Sequence, residues 1–578
     1  MSNVTRRALR VHSALVELRN TNGDVLDALI PFFEPILEIT NGKLFDPKVF
    51  ALAVRKILKW RFTADIASTF IPRLERKGYL KRKQSSYIVE YRSPDESQTD
   101  RLPIAEVLHS IIGEFGSFVG QLTGLAHYER TREQLEDVFL RFLVSLDAYD
   151  DTNILSEIQR LQISAEDQTI LASLEEGGIP LGQDDRYVCA RFVVELSKKR
   201  PEVVPDLARL ASIGLLTEVV DDFIKPTTVA TRSDLIIVVD APLALDYLGC
   251  SGKELQEDVR AIFDSLRTIG CSFAVFPITC EEISNNLQSM LRLYPTKRHG
   301  YTHEAICRGD VMEEYVKNVA ADPAAALNNA GIKLNPININ GYPNLHIHFD
   351  KDKYDDFLTA VTWVKEITPR EHDATCMTIV MRLRGGKNST DIFKCRYVFV
   401  TRNSKFAYSS RSYCLESRLI SAVHQGPVVN QRDLATMAWL RTGLDTGERV
   451  PRGHLFGICD RVLRPRQEVK NAITAKLKQL SPDNLEQFEL MLLNTRSIQA
   501  LTDLTLNSEK DADNVDPVVL LDKMRLATAA DIEERYAAKL EEERNQHLKQ
   551  LEERDREIAR LTRERDVLAT GVSLKDTL

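Results

Sequence analysis

Four short stretches of this chain carry side chains whose types and spacing suit hydrolysis of a phosphate ester. The first is Val238-Val239-Asp240-Ala241-Pro242-Leu243-Ala244-Leu245, in which an apolar run stops on an aspartate. The second is Ile278-Thr279-Cys280-Glu281-Glu282-Ile283, with two adjacent carboxylates. The third is Glu371-His372-Asp373-Ala374-Thr375, and the fourth Val400-Thr401-Arg402-Asn403-Ser404-Lys405-Phe406. Carboxylates gathered at one place repel each other unless a cation neutralises them, and hard cations such as Mg2+ and Mn2+ take oxygen ligands. A cation held there generates hydroxide from water and offsets the charge on a phosphodiester under attack. Such a site needs no nucleophilic side chain.

The elements around these stretches must bring them together. Leu235-Ile236-Ile237-Val238-Val239 is a continuous β-branched run, as a strand buried on both faces requires. Ser272–Phe276 and Arg396–Val400 read as two more such strands, and Lys253–Leu266 as a helix between the first two. Strands alternating with helices predict a parallel α/β sheet. In such sheets ligands bind at the carboxyl edge, which is where Asp240 would lie. Glu281 or Glu282 is expected on the first turn of the helix after the second strand, and Asp373 near the opening of a helix running to Leu383. Each acid has a plainer reading. Asp240 could cap its helix, and the others could simply favour a helix N-terminus through the dipole. Those readings leave unexplained why all three fall at one predicted sheet edge.

In this order (strand-end Asp240, then Ile278-Thr279 with Glu282-Ile283, then Asp373, then Val400-Thr401 with Asn403 and Phe406) the stretch from Ser233 to Phe406 resembles the PIN nuclease family. The longer phrase around His372-Asp373, with Arg382-Leu383-Arg384-Gly385-Gly386 downstream, is similar to a group of large bacterial PIN-like proteins. The resemblance implies a divalent-metal-dependent endonuclease, cutting RNA rather than DNA, with Asp240, Glu282 and Asp373 as ligands to Mg2+ or Mn2+. It implies that Asn403, where many relatives have Asp, is a weaker ligand or positions a water, and that Thr401 supports the bound water or a phosphate. Two departures stand out: Pro242 replaces the usual polar residue after the first Asp, and an insert of about 285–365 separates Glu282 from Asp373. Arg382, Arg384, Arg402 and Lys405 are the basic residues expected to meet a polyanionic substrate. His346-x-His348 reads as a surface strand, and Asp246 and Asp310 as solvated acids.

The flanking parts suggest a multidomain α and α/β protein. Residues 1–95 resemble a winged helix-turn-helix. Pro47–Trp60 carries a helical apolar stripe, a break follows at Arg61-Phe62, and Thr63 can cap a second helix ending near Gly78. Two short strands then flank Gln84-Ser85-Ser86. Arg73, Arg76, Lys77, Lys81, Arg82 and Lys83 cluster there; they suit either DNA contact or a solvated face of a protein-docking module. Residues 96–230 read as a helical connector, 231–410 as the α/β domain and 411–530 as a second helical region with a polar loop at Asn507–Asp516. Residues 531–578 read as a long charged helix. Its Leu540, Leu551, Ile558, Leu561 and Leu568 suit a coiled-coil homodimer or a partner protein, while Arg544, His547, Arg554 and Arg565 interrupt the seam and suit a solvated helix.

Composition bounds the rest. Of 578 residues, 43% are apolar and 28% charged, an ordinary globular balance. The net charge of −8 argues against a coat of nucleic acid but permits one basic groove. Nine cysteines without C-x-x-C spacing, and the absence of a signal-peptide pattern, predict a reducing, cytoplasmic setting without standard zinc sites or a membrane span. Two rival functions remain open at this level. One is a DNA-binding regulator or scaffold with a degenerate PIN-like part. The other is an assembly-dependent nuclease of toxin or anti-phage type, an analogy at family level.

Overall fold

The computed structural model describes residues 9–11, 25–58, 62–84, 86–92, 103–122, 128–144, 181–219, 232–361, 367–421, 424–442, 449–480 and 482–573. The expected helix end at Trp60, the break at Arg61, the turn residue Ser85 and the last residues of the C-terminal segment lie outside them.

At the N-terminal end, helices Pro47–Leu58 and Ala64–Arg76 are followed by an antiparallel hairpin of β1 (Leu80–Lys83) and β2 (Ser86–Val89). Thr63 caps the second helix, its hydroxyl accepting from Ile66 N at 3.4 Å. Phe33, Phe50, Phe62 and Phe70 pack edge to face beneath the pair.

The centre of the molecule is a five-stranded sheet of β3 (Ile236–Val239), β4 (Ser272–Val275), β5 (Lys333–Leu334), β6 (Tyr397–Thr401) and β7 (Val428–Asn430). Its order is β5-β4-β3-β6-β7 and every neighbouring pair is parallel. Because side chains alternate across a strand, β3 feeds two cores. Ile237 and Val239 join one, with Phe263, Phe273 and Val400; Val238 joins the other, with Phe276 and Phe399. A continuous β-branched strand is therefore required at this position. Helices cover both faces. Ile367–Arg384 packs on β6 from one side with Lys351–Ala360, while Lys253–Thr268 packs against Arg449–Leu463 on the other. After β3 the chain crosses to β4 and β5, whereas β6 and β7 lie on the opposite flank. The C-terminal ends of β3 and β6 thus flank the point where the strand order reverses.

The helices Gln183–Lys199 and Val204–Val219, in the stretch read as a helical connector, share a core with Arg449–Leu463 and with the first face of the sheet. Several other expectations need correction. The polar stretch Asn507–Asp516 contains a short helix, Glu509–Asn514, because Ala512 is buried and the acids Glu509 and Asp511 sit in its first turn, where the dipole favours them. His346 and His348 lie on a 3-10 turn, Pro343–His348, so residues two apart share no face. The long helix begins earlier than its charged segment, spanning Pro517–Ser573. Leu520, Leu521 and Met524 bury its start against Ile473, Leu477, Phe488 and Leu501. Among the described residues no helix is long and apolar enough to cross a membrane.

Candidate metal centre

Asp240 follows β3 directly, and its backbone N–H donates to the Val400 carbonyl at 3.1 Å, extending the β3–β6 ladder by one residue. It caps the helix Ala241–Tyr247: Oδ1 accepts from Ala241 N at 2.8 Å. Pro242 falls in the first turn of that helix, where a missing N–H costs nothing, so the departure from a polar residue is structurally neutral. Oδ2 accepts from the Thr401 hydroxyl at 2.6 Å, and Thr401 Oγ1 in turn accepts from Asn403 N at 3.0 Å. Asp240 as a whole is only 6% exposed. Burial drives its pKa up, partly opposed by His372.

Glu282 lies on the second turn of the helix Pro277–Arg292, one turn later than expected, and faces this carboxylate, while Glu281 points to solvent. The ambiguity between the two acids therefore resolves in favour of Glu282. Its Oε2 is buried and accepts no hydrogen bond, although His372 Nε2 lies 3.1 Å away. Burial raises the Glu282 pKa to about 7; His372 pulls it down, and the nearby Asp240 and Asp373 charges push it up.

The third corner is His372, which the sequence reading passed over in favour of its neighbour. The motif stands on the second turn of the helix Ile367–Arg384, not at its opening. His372 Nε2 lies 3.1 Å from Thr279 Oγ1 and 3.5 Å from Cys376 Sγ, and Phe399 walls the ring edge to face. Burial disfavours a charged imidazole here, but Cys376, Asp373 and Glu282 outweigh it and raise the His372 pKa well above the ordinary histidine range. One donor atom each from Asp240, Glu282 and His372 lies within 4.8 Å of the others, so this cluster could hold a metal ion. Asp373 is outside that triple. Its Oδ1 is 3.5 Å from His372 Nδ1, on the far side of the ring. The fit to a cation rests on this donor set and on the buried Glu282 oxygen that no hydrogen-bond donor serves.

The remaining expected residues divide sharply. Thr401 is at the centre. Asn403 spends its side-chain oxygen capping the helix Ser404–Glu416, accepting from Phe406 N at 3.1 Å. Arg384 is 1% exposed and donates to the carbonyls of Tyr397, Gln425 and Gly426, so it ties β6 to the chain entering β7 and is closed to phosphate. Arg382 is likewise buried, bonded to the Phe349 and Ile339 carbonyls. Arg402 pairs at 2.8 Å with Asp246, which is 1% exposed rather than solvated. Lys405 is exposed, on the first turn of the helix Ser404–Glu416. In the N-terminal cluster Arg73 and Arg76 pair with Asp27 and Lys81 with Glu90, all of Lys77, Lys81, Arg82 and Lys83 being exposed.

What sequence reasoning missed is His372, Thr279 and Cys376. The signal for His372 was its place beside Asp373. Adjacent helical residues point about 100° apart, so only one of them can aim straight at the sheet edge. No family model, curated protein or solved structure matches this chain.

Proposed function

We propose that this protein is a divalent-metal-dependent nuclease of the PIN-like kind, hydrolysing phosphodiester bonds, with RNA the preferred substrate. The observation that carries the reading is the convergence of Asp240, Glu282 and His372 at the carboxyl edge of a parallel sheet, with donor atoms within 4.8 Å of one another. A divalent cation bound there supplies a nucleophile from water at neutral pH and offsets charge on the phosphodiester.

The protein's own part is positioning. Thr401 and Ala241 N each hold one oxygen of Asp240, so that carboxylate keeps one orientation while a second lone pair on each oxygen stays available. Glu282 Oε2, without a hydrogen-bond donor, is held in reserve for a cation. Lys405, exposed two residues beyond Asn403, would neutralise a substrate phosphate. Asp240→Asn should abolish Mn2+-dependent cleavage of single-stranded RNA or DNA; a variant that cuts as fast as the parent refutes the assignment.

A second reading has its own observation. The 3.1 Å approach of His372 Nε2 to Glu282 lets an imidazolium neutralise the acids with no metal at all. The sheet would then be an inert scaffold, and nucleic-acid contact would fall to the exposed Lys77, Lys81, Arg82 and Lys83 of the helix and hairpin resembling a winged helix. Salt-dependent DNA binding without cleavage, unaffected by Asp240→Asn, favours that reading. The C-terminal helix is the proposed seat of a homodimer or partner protein in either case.

A further inference from the structure

We infer that His372 is a metal ligand through Nε2, that Asp373 is the outer carboxylate orienting it, and that the centre is therefore built for a first-row transition cation such as Mn2+, Fe2+ or Zn2+ rather than Mg2+. This rests on the metal reading of the cluster.

The argument begins with the two nitrogens of one ring. Nδ1 faces Asp373 Oδ1 at 3.5 Å, and Nε2 faces Glu282 Oε2 at 3.1 Å. A proton kept on Nδ1 and shared with Asp373 leaves the Nε2 lone pair directed at the acids. Metal-bound histidines almost always donate their other N–H to a carboxylate or carbonyl in this way, which fixes the tautomer and raises the basicity of the ligand. Asp373 is a poor candidate for the inner set, since it falls outside the triple that lies within 4.8 Å.

Thr279 and Cys376 confine the same nitrogen, at 3.1 and 3.5 Å. When a cation takes Nε2, the Thr279 hydroxyl has Cys376 Sγ to turn to, 3.8 Å away. The ring is further immobilised against Phe399. The orientation of His372 is therefore set before any ligand arrives.

Donor chemistry then decides among cations. Mg2+ takes oxygen ligands and keeps several waters, whereas imidazole suits the later first-row metals. One nitrogen with two carboxylates falls between these extremes, where Mn2+, Fe2+ and Zn2+ bind and Mg2+ competes badly.

The test uses the full chain with Mn2+ as the probe, read by pulsed electron paramagnetic resonance and by titration calorimetry. Bound Mn2+ should show coupling to a directly ligated nitrogen, and the signal should shift when histidine carries the heavier nitrogen isotope. The coupling should vanish in His372→Gln. Asp373→Asn should keep the coupling and weaken Mn2+ binding by about 10- to 100-fold, whereas Asp240→Asn should remove binding. Zn2+ should displace Mn2+ at far lower concentration than Mg2+ does. Mn2+ bound without nitrogen coupling, or coupling that survives in His372→Gln, overturns this inference while leaving the metal centre intact. Mg2+ competing as well as Zn2+ overturns the selectivity. A folded chain that takes up no Mn2+ overturns the underlying reading as well.

Discussion

His372 and Glu282 each titrate in a way that would tie the stability of the protein to pH. Glu282 has its pKa raised from an ordinary 4.5 to about 7, so between those values the folded state holds a proton that the unfolded chain has lost. Stability must fall as pH rises through that window. His372, held above its ordinary value by Cys376, Asp373 and Glu282 against the effect of burial, adds in the same direction: its contribution is full below its unfolded pKa and is lost as pH rises through the folded one. Urea unfolding of the metal-free protein should accordingly give a midpoint that declines from pH 5 to pH 8. With Mn2+ present the decline should flatten or reverse, because the cation competes with the same protons. A metal-free midpoint that climbs over this range would show that neither group binds its proton more tightly in the folded protein than in the unfolded chain. Part of this site was legible in the sequence. Asp240 is legible as the acid that ends an apolar β-branched run; Glu282 is legible only as one of two adjacent helical acids, the resemblance choosing it over Glu281. His372 is not, since a histidine beside an aspartate has no pattern of its own; only the rotation of the helix decides which of the two turns inward.

At the level of elements, the site depends on the seam between β3 and β6. The loop after β6 is pinned by Arg402, whose guanidinium reaches Asp246 on the helix that Asp240 caps. That guanidinium also lies over Tyr301, 5.0 Å from the ring centroid, and Arg464 lies against the same ring at 4.3 Å. Arg464 in turn bonds Asp460, at the end of the helix Arg449–Leu463. The insert, the loop beside the site and the C-terminal helices therefore meet on one aromatic ring. Asp246→Ala should cost about 3 kcal/mol in denaturant unfolding, since it leaves a largely buried cation without its carboxylate. The double change Asp246→Leu with Arg402→Met should recover much of that loss. If the single variant is as stable as the parent, the pair is not a structural clamp. These residues illustrate why charge is hard to read from sequence. Arg382, Arg384, Arg402 and Asp246 look like a solvated basic and acidic surface, yet their partners are carbonyls and side chains far along the chain, and separation in sequence hides the compensation that lets them be buried. The three inner strands β4, β3 and β6, by contrast, are legible within a residue or so, because burial leaves apolar runs that little else explains, whereas the short edge strands β5 and β7 carry no such run, and β7 lies in a stretch read as helical.

At the scale of the whole molecule, one apolar core draws residues from the connector, the α/β domain and the later helical region alike. One face of the sheet is closed by Lys253–Thr268 and, through it, by Arg449–Leu463, Gln183–Lys199 and Val204–Val219. Residues 232–421 expressed alone should therefore lack a cooperative unfolding transition and aggregate, having lost the cover of that face. A sharp transition in the isolated segment would restore the simpler domain plan. Removal of residues 536–578 should leave the melting temperature of the remainder unchanged, since the described side chains of 541–565 are exposed, and light scattering of the two forms would show whether Leu540, Leu551, Ile558 and Leu561 pair with a second copy. The extension of the β3–β6 ladder onto Asp240 carries one more consequence. A slip of one residue between these central strands would turn Asp240 away from Thr401 and break that contact, leaving only the local bond from Ala241 N to orient the carboxylate. Cation uptake by a refolding chain would then keep time with strand registry, signalling the moment at which the middle of the sheet has paired correctly.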